Sequence, residues 1–139
     1  MRRFSAALPA LLTLTACGVT PTATTVPAGS DFRLRAGESV TVEDTEHSVR
    51  FEVVASDSRC PADAVCVTLG DAEAIFSVAE AGRPGVQLTL HTQPGDGRQA
   101  TAAGLTLTLI HLDPYPYSGR PIAAHDYQAW LRVERTPGY

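Results

Sequence analysis

From Asp31 to Val133 apolar residues recur at every second position, and no stretch of ten or more residues carries the 3.6-residue period of an amphipathic helix. A chain patterned this way lines one face of each strand with apolar side chains, and that face must be buried against another sheet. Phe32 and Leu34 alternate with Arg33 and Arg35; Gly37 interrupts, and Val40 and Val42 then alternate with Thr41 and Glu43. After the turn Glu43-Asp44-Thr45-Glu46, Val49, Phe51 and Val53 alternate with Arg50 and Glu52. Ala74, Phe76 and Val78 run through Gly82-Arg83-Pro84-Gly85 into Val86, Leu88 and Leu90, which is the composition of a hairpin. Leu105, Leu107 and Leu109 mark a sixth strand, and Tyr127, Ala129, Leu131 and Val133 a seventh. Parity breaks after Leu109, where Ile110 and Leu112 are apolar and His111 falls in phase with the leucines, as a β-bulge or a doubly buried strand requires. Seven short strands predict an all-β fold: an antiparallel β-sandwich of immunoglobulin-like size, with a small closed barrel as the alternative.

A different pattern precedes the alternation. Met1-Arg2-Arg3 leads into an apolar run from Phe4 to Ala16 that ends Leu14-Thr15-Ala16-Cys17. A basic start, an apolar core and a small residue before cysteine spell a bacterial signal peptide with a lipobox. Residues 1–16 are therefore expected to be removed, by the Sec route, and Cys17 to carry diacylglycerol and palmitate-type acyl chains. The run is about thirteen residues long and contains Pro9, which is short of the roughly 20 residues that span a bilayer. Residues 17–30 are uncharged and stiffened by Pro21 and Pro27, so they read as a tether, with residues 31–139 as the single sandwich domain. The expected address is the cell envelope outside the cytoplasm. Gly18 rather than aspartate follows Cys17, which implies the outer membrane in a cell with two membranes.

The formal charge of −4 falls to about −6 once Arg2 and Arg3 leave, and every basic residue is arginine. A nucleic-acid partner is disfavoured, because phosphate binding needs a basic patch. His47, His91, His111 and His125 are scattered singly, without H-E-x-x-H, G-x-S-x-G or a close ligand pair. That dispersion argues against an enzyme, a bound metal or another cofactor.

With Cys17 lipidated, Cys60 and Cys66 remain, and in an exported protein they are expected to join. A C-x5-C spacing does not match the usual zinc-ligand spacings. Asp57-Ser58-Arg59-Cys60-Pro61, then Cys66-Val67 and Gly70-Asp71-Ala72, together with Leu109-Ile110-His111-Leu112-Asp113-Pro114-Tyr115-Pro116, resemble a family of small uncharacterised bacterial secreted proteins and lipoproteins. The resemblance covers Phe32 to Val133 and implies the same fold and the same disulfide. It implies no activity, and Thr68 departs from it where the family often carries tryptophan.

Several clusters are candidates for function. Tyr115 and Tyr117, from a proline-stiffened loop, and Trp130, out of phase with Ala129 and Leu131, form an expected flat patch for a sugar ring or an envelope protein, unless the 113–126 loop merely closes over Trp130. Arg59 joins them as a partner contact, or as the anchor of a protease-inhibitory 60–66 loop. Asp57, Asp63 and Asp71 surround that loop either as a calcium site or, more simply, as solvated carboxylates with Asp57 paired to Arg59. Histidines meeting across a sheet to bind copper or zinc are a third possibility, with His111 read as a buried core residue and His91 as facing water. The combined expectation is a monomeric, non-enzymatic envelope lipoprotein acting as an interaction or structural module.

Overall fold

A computed structural model describes residues 24–138. Nine strands, β1 (Thr25–Val26), β2 (Asp31–Arg35), β3 (Ser39–Val42), β4 (His47–Asp57), β5 (Ala72–Glu80), β6 (Val86–His91), β7 (Gln99–Ala102), β8 (Leu105–Asp113) and β9 (Gln128–Arg135), form two stacked sheets. One sheet has the order β1-β3-β4-β5-β6 and the other β2-β9-β8-β7. All neighbouring strands are antiparallel except β1 and β3. The fold is a β-sandwich.

The alternation explains the layers. Val42, Val49, Phe51, Phe76, Val78 and Leu90 from one sheet and Leu34, Leu105, Leu107, Leu109, Leu131 and Val133 from the other are almost fully buried. Phe51 and Phe76, cross-strand partners, stack with ring centroids 4.9 Å apart at the centre. The Glu80–Val86 connection is the expected hairpin, closed by Arg83 N–H donating to the Glu80 carbonyl at 2.9 Å.

Four features differ from the sequence reading or refine it. Thr25–Val26 belongs to the sheet and Val26 is buried, so the C-terminal part of the proposed 17–30 tether is structured domain; Cys17 and residues 1–23 lie outside the described residues. Strand β7 was unforeseen because Gln-Ala-Thr-Ala offers no large apolar side chain to alternate. Register slips in β4 between Phe51 and Val53, which turns Val53 outward and leaves Val54 against the core. In β8 the slip falls between Leu109 and His111, as the parity break required. It turns Ile110 and His111 to the surface and returns Leu112 to the interior, so His111 is not a core histidine.

Strands β4 and β5 end together at one end of the sandwich, which holds the 58–71 connection, the 92–98 segment and the 114–127 connection between β8 and β9. The opposite end holds the turns around Asp44, Arg83 and Ala103. Every cluster discussed below belongs to the first end, except the Trp130 surface and one cleft at the opposite end.

Candidate functional site

At that end, the chain leaving β4 makes a short local fork. Arg59 is the one buried charged residue among the described residues. Its Nε donates to Asp57 Oδ1 at 2.9 Å and its Nη2 to Asp57 Oδ2 at 2.6 Å, while the backbone N–H of Arg59 also reaches Oδ1. The rest of the guanidinium crosses to the other sheet's connection: Nη1 donates to the Leu112 carbonyl at 2.7 Å and Nη2 to the Pro114 carbonyl at 2.9 Å. The Tyr115 ring covers the guanidinium at 5.1 Å, and Tyr127 O–H donates to Asp57 Oδ2. A planar donor fork suits this task, because one group can satisfy a carboxylate and two carbonyls at once.

Burial pushes the Asp57 carboxyl up, but the hydrogen bonds and positive charge of Arg59, with the Tyr127 hydroxyl, outweigh it and leave the group below its usual value. The phenol of Tyr127 is pushed up to about 12 by its own burial and then by the Asp57 charge beside it. Arg59 is thus a pillar between the sheets. An inward-facing guanidinium with four hydrogen bonds to the protein does not fit the expected roles of partner contact or protease-inhibitor anchor.

What the pillar supports is the stapled loop. Cys60 and Cys66 are disulfide-bonded, with Cα atoms 5.9 Å apart. Cys60 N–H donates to the Leu69 carbonyl, Ala64 N–H to the Pro61 carbonyl, and Ala62 N–H to the Pro116 carbonyl, each at 2.9–3.0 Å. Asp63 accepts from Ser118 N–H at 2.8 Å, and chiefly that bond holds its carboxyl below the usual value. Gly70 closes the loop at φ +68°, where a Cβ would strike the Ser58 carbonyl.

On this tied-down frame Val65 and Val67 are fully exposed and Leu69 is 73 % exposed. Large apolar side chains this open, three within five residues of one short loop, are unusual on a monomer's surface. Sequence reasoning stopped at the cysteines, although the alternation Val65-x-Val67-x-Leu69 in a segment too constrained to be a strand was the available signal.

The other candidates separate. Tyr115 and Tyr117 are half-exposed and adjoin the loop through Pro116 and Ser118, and they share a shallow cleft of about 210 Å³ with Pro114, Arg120, Ile122 and Asp126. Arg120 lies over the Tyr117 ring at 5.9 Å. Trp130 stands instead on the outer face of the four-stranded sheet, opposite Arg33 on β2 and His111 on β8. Arg33 covers its ring at 5.5 Å, and its Nε1–H donates to Asp113 Oδ2. The expected three-ring patch therefore divides into a tyrosine pair beside the loop and a tryptophan on the sheet face.

The aspartates do not converge either. Asp71 accepts from Thr92 N–H, Thr92 O–H and Gln93 N–H and meets His91 Nδ1 at 2.6 Å, clasping the 92–98 segment to the start of β5. Burial raises its carboxyl, and these bonds more than reverse the effect. His91 is therefore held by Asp71 rather than simply facing water. His111 pairs with Asp113 at 2.8 Å and His125 with Asp126 at 3.4 Å. Among the described residues no three His, Cys, Asp or Glu side chains are grouped to hold a metal ion, and no helix is long and apolar enough to cross a membrane.

A larger cleft, of about 540 Å³, opens at the opposite end between His47, Val78, Val86, Leu105 and Arg135. No family model, curated protein or solved structure matches this chain.

Proposed function

We propose that the chain is a bacterial envelope lipoprotein, held to the membrane by lipid on Cys17, whose sandwich is a non-enzymatic interaction module presenting the Cys60–Cys66 loop. The observation that carries this reading is the outward display of Val65, Val67 and Leu69 on a loop fixed by a disulfide, by backbone bonds and by the buried Arg59 beneath it. Covering a side chain of this kind contributes about 1.5–3 kcal/mol relative to leaving it in water. Three of them on a loop tied at its two ends offer a contact surface part of whose ordering cost is already met in the free protein. The signal peptide and lipobox supply the address.

A photo-crosslinking residue at Val67, compared in cells with one at Arg83 on the opposite end, tests the module. Adducts specific to the Val67 position are expected. Equal labelling, or none at either, overturns the module, and retention of Cys17→Ala in the membrane fraction after removal of peripheral proteins overturns the anchor.

A further inference from the structure

Resting on that reading, we propose a definite occupant for the apolar loop: the facing leaflet of the same bilayer that holds the lipidated N-terminus, into which Val65, Val67 and Leu69 dip. The first argument is direction. Strand β1 runs parallel to β3, so the chain enters Thr25 from the side of the sandwich that carries the loop. Thr25 stands level with Thr41 and, through it, Ser48, and β4 then continues to Asp57 at that end. The roughly eight residues from Cys17 to Thr24 span about 26 Å when extended, against about 30 Å for the nine residues of β4 beyond Ser48, and the glyceryl group and acyl chains on Cys17 cover the difference. A lipid on Cys17 can thus sit level with the loop end of the domain.

The chemistry agrees. Between Cys60 and Gly70 the single charge is Asp63, and its carboxylate is already bonded to Ser118 N–H. Valine and leucine partition favourably into hydrocarbon, whereas they are under-represented among the residues that dominate protein–protein contacts. Tyr115 and Tyr117 beside the loop are half-exposed, with an apolar ring and a polar tip suited to the headgroup layer. Exposed Arg120, against the Tyr117 ring, places a cation at the level of lipid phosphates. The anchor also keeps the loop at high effective concentration beside the bilayer, so a shallow insertion suffices.

The test uses the full lipidated chain in phosphatidylethanolamine and phosphatidylglycerol vesicles, with V67W in a W130F background as the sole tryptophan. V65W/W130F serves as a second reporter and R83W/W130F as the control at the far end. With lipids brominated near the headgroup, the emission of V67W and V65W should shift to the blue and lose most of its intensity, while that of R83W does neither. Vesicle-bound protein whose V67W and V65W emission stays unshifted and unquenched overturns the inference and leaves the anchor standing. Photo-crosslinks from position 67 to protein or glycan in native envelopes, with V67W emission unshifted in protein-free vesicles, also overturn it in favour of that occupant. Wild type that floats with vesicles no better than Cys17→Ala overturns the anchor and this inference with it.

Discussion

Replacing Arg59 with methionine removes the pillar while roughly preserving its volume. Four side-chain hydrogen bonds vanish. The carbonyls of Leu112 and Pro114 lose this donor, and the Asp57 side chain, 10 % exposed, keeps its charge with only Tyr127 O–H and the Arg59 backbone N–H facing it. Removing one partner of a buried ion pair costs about 3–5 kcal/mol, because the remaining charge is stranded. For a domain of this size about 4 °C of melting temperature is lost per kcal/mol, so R59M should melt roughly 12–20 °C below wild type. Urea unfolding followed by circular dichroism measures the loss directly. The double variant D57N/R59M should be destabilised by less than the sum of its single variants, since no unpaired charge is left behind. A loss under about 1 kcal/mol in R59M, or strict additivity in the double variant, would refute a buried load on this pair.

Gly70→Ala should cost more than about 2 kcal/mol, because it combines a left-handed backbone angle with a clash on the Ser58 carbonyl; an unchanged urea midpoint contradicts the closure described for the loop. Joint replacement of Cys60 and Cys66 by serine should cost only about 2 kcal/mol, the loop being short, and the far-UV spectrum should keep its strand signature. Asp57 and Asp71 both sit below the usual carboxylate value in the folded chain, so the unfolded chain takes up their protons first as pH falls. The stability they contribute should be complete above about pH 4 and drain away below it, and urea midpoints that already drop between pH 7 and 5 would point to other groups.

Strands with a fully buried face were legible because Leu34, Phe76, Leu107 and Leu131 leave the period of two no alternative. Thr25–Val26 and Gln99–Ala102 were not, since two or four residues with small side chains generate no period. The bulge in β8 betrayed itself by an apolar residue on each side of His111, whereas the two register shifts in β4 passed unseen because Val53 and Val54 fit either phase. In the site, the disulfide and the Asp57–Arg59 pairing are local in the chain and were readable. That the pair is buried depends on carbonyls 53 and 55 residues away, which no spacing encodes. Trp130 is only 15 and 13 residues from Tyr115 and Tyr117, and its separation from them was hidden because spacing does not encode the path of the 114–127 connection.

Hydrogen exchange tests the central claim most directly, with the lipidated chain in its native envelope compared with Cys17→Ala in solution. Among the described residues the backbone N–H groups of Val65 to Leu69 make no hydrogen bond, so in the free protein they should exchange at once. The account predicts clear slowing there on anchoring and none in the 81–85 turn. Equal exchange of residues 65–69 in the two states would contradict it.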